Sequence, residues 1–200
     1  MNRLNVFLRK IYNFYNQTRL KNRSFSLIAS NCNGSLILHD LNLPFNSPFV
    51  NLWLKPKDFL KLCENMEYYM GCQLKFVNDE HTAYPIAMLD DIKIYFQHFK
   101  SEKDARTKWE IRKKRIDYHN IFILFTDRDG CTYEDLQRFD KLKFAKKAVL
   151  VHKNYPEIKS SVYIPGFEKE DCVGMCMYFK NKITYKKYYD SFDYVNWFNK

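Results

Sequence analysis

Glycine and proline, the residues that punctuate loops and linkers, are scarce in this chain: five and six respectively in 200 residues. That scarcity excludes a collagen-like or linker-dominated protein. No apolar run approaches the roughly 20 residues that a membrane-spanning helix requires. The six cysteines (Cys32, Cys63, Cys72, Cys131, Cys172 and Cys176) contain no C-x-x-C pair, and the closest spacing is Cys172 to Cys176. Without paired cysteines and histidines at matching intervals, a structural zinc site is not expected, and no metal site is assigned. Thiols in a chain this size read as reduced rather than as a disulfide framework. Acidic residues are missing altogether from the first 24 positions.

Aromatic and apolar residues are abundant instead. Seventeen Phe, 15 Tyr, 3 Trp and 46% hydrophobic residues exclude intrinsic disorder and suffice for one sizeable core. The net charge of +10 is uneven. Residues 1–24 carry Arg3, Arg9, Lys10, Arg19, Lys21 and Arg23, which is +6, and residues 25–200 are only +4. A single basic tip is not the distributed field of a nucleic-acid binder, and no recognised reader motif accompanies it, so nucleic acid is disfavoured as a partner. Charges and asparagines interrupt the apolar residues of this segment, and no small-residue cleavage site follows, so it does not read as a secretory signal. Leu4, Phe7, Leu8, Ile11, Tyr12 and Tyr15 recur at helical spacing, which predicts an amphipathic helix with a basic polar face. Two roles fit it equally: docking by its apolar face onto the domain, or lying on an anionic membrane through residues 1–22.

Further along, strand patterns at 25–31, 73–77, 92–98, 120–126 and 148–151 alternate with helical patterns at 56–70, 101–115 and 132–142. Residues 35–54 read as irregular because Pro44 and Pro48 limit any helix. A short strand near Val162 and a helix over 191–198 complete the chain. The expected fold is α/β: residues 25–200 as one domain with a mixed or mostly parallel sheet flanked by helices, plus the amphipathic helix at 1–24.

Ligands of open α/β sheets sit beyond the carboxyl ends of the strands. There the pattern delivers Asn31 and Cys32, then His98, then Asp127-Arg128-Asp129, then His152. A thiolate nucleophile needs a base or a positive environment. Cys32, with Gly34 allowing close backbone approach, is therefore a candidate nucleophile or oxyanion-site element; His98 or His152 is a candidate base, and Asp127 or Asp129 a candidate orienter. The competing reading of Cys32 is a packed small hydrophobe. The two aspartates also fit a metal and sugar-nucleotide site, or an ordinary helix-capping turn. On the 101–115 helix, Trp109, Arg112 and Arg115 share helical spacing and suit a phosphate or an anionic glycan, against a plain solvated basic face.

Several spaced motifs resemble one family. Leu27-Ile-Ala-Ser-Asn-Cys-Asn-Gly34 and Leu41-Asn-Leu-Pro-Phe-Asn-Ser-Pro48 are similar to the opening signature of the bacterial domain-of-unknown-function 1919 family. Tyr84-Pro-Ile, residues 91–98, Trp109-Glu-Ile-Arg-Lys-Lys-Arg115 and Thr126-Asp-Arg-Asp-Gly-Cys131 are similar to its later blocks. The family more often has two asparagines before the cysteine and two glycines after it. The resemblance implies a cytoplasmic enzyme of capsular or exopolysaccharide synthesis, peripheral to the inner face of the membrane, acting on a sugar or polysaccharide intermediate. It favours transfer of an acyl group, from a donor such as acetyl-CoA, to a sugar hydroxyl. It also draws Asn31, Asn33, Gly34 and Ser47 into the substrate-binding set beside Trp109, Arg112, Arg115 and Arg128. The alternatives are a glycosyltransferase using a sugar nucleotide and a non-catalytic accessory protein of polysaccharide assembly.

Overall fold

The computed structural model describes residues 3–200. Met1 and Asn2, the start of the expected N-terminal helix, lie outside the described residues. The architecture is α/β. Four parallel strands, β1 (Ser26–Ala29), β5 (Ile121–Thr126), β6 (Lys147–Val151) and β7 (Ser161–Tyr163), form one sheet in that order. Three antiparallel strands, β2 (Leu74–Val77), β3 (Ile86–Leu89) and β4 (Ile92–Tyr95), form a second sheet.

The run Ile121-Phe-Ile-Leu-Phe125 explains why the parallel sheet is buried on both faces. Alternate side chains leave a strand on opposite sides. Ile121, Ile123 and Phe125 join a core formed with the small sheet, α3 (Pro56–Glu64), α5 (Glu102–Lys113) and α6 (Tyr133–Asp140). Phe122 and Leu124 face a second core built by α2 (Asn33–Asp40), the C-terminal tail and α7 (Tyr194–Phe198).

Helix starts follow local chemistry. Ser101 caps α5 by accepting from the Asp104 backbone N–H, and Thr132 with Asp135 forms a reciprocal capping box on α6. Three expectations change. Residues 33–40 form α2 rather than irregular chain, because the prolines that forbid a helix begin only at Pro44. The long helix over 56–70 breaks at Asn65 into α3 and α4 (Met66–Gly71), since Asn65 leaves helical dihedrals. The strand expected over 92–98 ends at Tyr95 and pairs antiparallel with β3, a strand the sequence pattern misses because buried Ala87 dilutes its alternation.

The first helix, α1 (Arg3–Arg19), corrects the apolar-face docking expectation. It docks by its polar face. Asn5, Arg9 and Asn16 are buried, and each reaches the C-terminal tail: Asn5 Nδ2 donates to the Lys182 carbonyl, Arg9 pairs with Asp190, and Asn16 Nδ2 donates to the Tyr194 hydroxyl. Arg9 also pairs with Asp40 at the end of α2, where Asn13 and the Tyr189 hydroxyl donate as well. Burial works against charge on Arg9, but the Asp190 hydrogen bond and the surrounding negative groups outweigh it and raise its pKa. Burial alone would raise the Asp40 carboxyl; Arg9, Tyr189 and Lys187 together hold it below the usual carboxylate range.

Removing one partner from such a network leaves a buried charge uncompensated, so Asp40→Asn should cost about 3–5 kcal/mol at neutral pH in a denaturant titration. A depressed carboxylate contributes in full above its unfolded pKa and loses that contribution as pH falls through the folded value. The parent should therefore lose stability as pH drops below about 4, and Asp40→Asn should lose less over that window.

Candidate functional site

The carboxyl edge of the parallel sheet opens into a cavity of about 440 Å³. Its floor is the turn between β1 and α2. Asn31 follows β1 and donates through Nδ2 to Thr126 Oγ1 at the end of β5, 2.7 Å away, tying the two strand ends together. Its Oδ1 accepts from the Asn33 backbone N–H at 3.2 Å, so the turn that presents Cys32 is braced from within. Gly34 lies against β1: a Cβ there would sit 2.5 Å from the Ala29 Cβ. The close approach anticipated at Gly34 is thus toward the neighbouring strand, and its role is to seat α2.

His98 reaches this cavity from the other sheet. The segment between α2 and α3 makes that possible. Leu54 N–H donates to the Ser30 carbonyl, and Trp53 exchanges both backbone hydrogen bonds with Tyr95, each at 3.0 Å. The Trp53 and Tyr95 rings also stack, with centroids 3.9 Å apart and planes 8° from parallel. The end of β4 is thereby bolted to the end of β1, and Gln97 and His98, just beyond it, become exposed cavity lining. Arg128 and Asp129 complete the rim from the end of β5, with Asp129 at a positive φ of 61° before Gly130 at 84°. Trp53 and Tyr84 add aromatic wall, and Met175, Cys176 and Met177 of the tail close the remaining side. Arg128 Nη1 lies 3.4 Å from Met175 Sδ.

Burial disfavours the thiolate form of the cysteines here. Burial raises the Cys32 pKa, only partly opposed by its own backbone hydrogen bond, and burial pushes Cys176 up to about 12. Desolvation also raises the Asp129 carboxyl against the pull of Arg128.

Asp127 and His152 are not in the cavity but beneath it, both buried. Asp127 Oδ2 accepts from the His152 backbone N–H at 2.8 Å and from its ring Nδ1 at 2.5 Å, while Oδ1 accepts from the Val173 N–H at 2.7 Å. The carboxylate is committed to joining β5, β6 and the tail. Positions two apart would share a face of an extended strand; the left-handed backbone at Asp129 (φ 61°) breaks that register, so Asp127 turns inward while Asp129 stands on the rim. Asp127 and His152 belong to the frame, and His98 is the imidazole at the cavity.

Four other candidates fall outside it. Ser47 is buried, donating to the Leu27 carbonyl at 2.6 Å and accepting from the Phe49 N–H, so it pins the loop to β1. Trp109 is core, edge-on to Phe49 and Phe96. Arg112 lies over the Phe45 ring and Arg115 donates to the Phe45 carbonyl, beside the amino end of β1. The reason is topological. A helix returning the chain to a parallel strand runs opposite to it, so only its N-terminus reaches the carboxyl edge, and these arginines sit at the C-terminus of α5.

Sequence pattern misses Trp53, Tyr84, Gln97, Met175 and Met177. The local signals were a tryptophan stranded between Pro48 and Pro56 and the Met-Cys-Met spacing of the tail. A larger depression of about 810 Å³ lies at the opposite, amino edge around Ile121. Its Arg138 and Glu64 are closed on each other by two 2.6 Å hydrogen bonds, so they are not presented to a ligand.

The family model of a domain of unknown function (DUF1919) matches residues 3–199, from the first turn of α1 to the end of α7. The chain belongs to this family. An uncharacterized protein of Haemophilus influenzae (strain ATCC 51907 / DSM 11121 / KW20 / Rd) is 49% identical over 183 residues, covering 92% of this chain and 88% of that protein. The match spans α1, the cavity and the tail alike, so the DUF1919 unit includes the docked helix.

If Asp127 serves the frame, Asp127→Ala strands three donors and should cost about 1–3 kcal/mol for each one left unsatisfied, read as a large fall in melting temperature. Asp129→Asn, on the exposed rim and able to keep the left-handed backbone there, should stay within about 0.5 kcal/mol of the parent. Gly34→Ala should destabilise by roughly 1–3 kcal/mol through overpacking against Ala29.

Proposed function

We propose that this DUF1919 protein is a transferase of capsular or exopolysaccharide synthesis that moves an acyl group onto a sugar hydroxyl, in the cytoplasm at the inner face of the membrane. The observation that carries the reading is the meeting of His98 with Cys32, Arg128 and Asp129 in one cavity walled by Trp53 and Tyr84. Aromatic faces suit sugar rings, and the guanidinium suits an anionic group on donor or acceptor. About 440 Å³ lies within the usual size of a small-ligand site.

In this reading His98 takes the proton from the acceptor hydroxyl as its oxygen attacks the acyl carbonyl. The C–O bond to the sugar forms, the bond to the donor's leaving group breaks, and His98 returns the proton to that group. Asn31 holds the floor in place. Cys32, kept as a thiol by burial, donates a weak hydrogen bond toward the developing oxyanion rather than attacking. A donor such as acetyl-CoA would present its thioester here; its phosphates cannot be given to Arg112 and Arg115, which stand at the other edge of the sheet.

The glycosyltransferase alternative relied on Asp127 and Asp129 sharing a metal, and Asp127 is turned inward to His152. Among the described residues no group of three or more His, Cys, Asp or Glu side chains is placed to hold a metal ion.

The test is linkage and acyl analysis of the surface polysaccharide from a deletion strain complemented with variants. His98→Ala should abolish acylation, with a loss of about a hundredfold or more in rate, and Cys32→Ala should reduce it less. A polymer fully acylated with His98→Ala overturns the assignment; a missing sugar in place of a missing acyl group overturns the reaction class.

A further inference from the structure

The outward face of α1 is apolar although the helix is already docked. With Asn5, Arg9 and Asn16 turned inward, Phe7, Ile11, Phe14 and Tyr15 are turned to solvent, Phe7 and Phe14 with 60% and 67% of their surface exposed. Burying polar groups and exposing a stripe of large apolar ones inverts the usual arrangement of a surface helix.

A second segment joins this face. Residues 180–187 run alongside α1: Lys182 accepts from Asn5, the Tyr185 ring lies 5.4 Å from that of Tyr12, and Lys186 sits over the Tyr12 ring. At its tip Ile183 is 88% exposed. Residues 1–23 and 180–187 together hold ten basic residues and no acidic one, which equals the net charge of the whole chain. The remaining residues are electrically balanced. Two segments more than 150 positions apart in sequence are thus folded against one another; within them Arg9, Arg19 and Lys187 meet Asp190, Asp193 and Asp40, and Arg3, Lys10, Lys182 and Lys186 are left exposed beside the apolar stripe.

We infer that α1 and the 180–187 segment form a docking surface for an anionic lipid bilayer. The apolar stripe enters the headgroup and acyl boundary, and Arg3, Lys10, Lys182 and Lys186 flank it at the level of the lipid phosphates. Each basic group near an anionic surface adds attraction that salt screens. A second copy of this chain fits the same stripe less well, because it would bring two net-basic surfaces together. Buried ion pairs of Arg9 with Asp40 and Asp190 couple the surface to the domain. The inference is independent of the reaction proposed for the cavity.

The experiment is co-sedimentation of the full chain with vesicles of phosphatidylcholine alone and of phosphatidylcholine with phosphatidylglycerol, with sedimentation velocity on the protein by itself. Binding should require the anionic lipid and weaken between 0.1 and about 0.5 M salt. Phe7→Ser/Phe14→Ser should lower the partition coefficient about tenfold or more, and Lys182→Glu/Lys186→Glu should lower it for anionic vesicles only. Both pairs are exposed, so circular dichroism and melting temperature should match the parent. Equal binding to neutral and anionic vesicles overturns the inference, as does unchanged binding by Phe7→Ser/Phe14→Ser. A dimer in solution that Phe7→Ser/Phe14→Ser dissolves, with no vesicle binding by the parent, assigns the stripe to a second copy and overturns it as well.

Discussion

The buried carboxylate of Asp127 ties together the parts on which the cavity depends. Its two oxygens accept from the His152 backbone, the His152 ring and the Val173 backbone, and so join the ends of β5 and β6 to the tail. From Val173 the tail runs on through Met175, Cys176 and Met177, which form one wall of the cavity, to Tyr189 and Asp190, which receive Arg9 of α1. A charged group this buried is tolerated because its acceptor sites are filled by donors with little other choice of partner. The His152 Nε2 atom is buried without a hydrogen-bond partner among the described residues, and the ring is held through Nδ1 on Asp127.

Backbone geometry, rather than side-chain chemistry, places the functional groups. The parallel sheet alone would present Asn31, Cys32, Arg128 and Asp129 at its carboxyl edge. His98 comes from just beyond an antiparallel sheet that shares one core with the parallel sheet, and the pairing of Trp53 with Tyr95 and of Leu54 with Ser30 ties that strand end to the carboxyl edge. The same ring stack that closes this joint also supplies aromatic surface to the cavity. The joint and the ligand wall are one structure, so changes at Trp53 act on both.

Helix α1 shows how charge can be spent on attachment. Arg9 is surrounded by Asp40, Asp190 and Tyr189 and contributes nothing to the outer field. The outer face is left with its apolar stripe and its unneutralised basic residues. Periodicity identifies such a helix as two-faced but is blind to which face meets the protein, since both faces have a physical use.

Much of the fold was legible in the sequence for local reasons. The 120–126 run has to be a strand covered on both sides, Ser101 and Thr132 have to cap helices, and the strand-end rule brings Asn31, Cys32, Arg128 and Asp129 to one edge. Asn65 broke the third helix and Ala87 blurred β3, where local pattern was weak. The sequence by itself determined which residues follow β1, β5 and β6, though not that β4 stops at Tyr95. Tertiary structure decided the rest, because it depends on contacts between distant positions: that His98 lines the same cavity as Cys32 while His152 turns inward to Asp127, that Arg112 and Arg115 lie at the wrong end of their helix to reach the cavity, and that residues 180–187 complete the basic surface begun by α1.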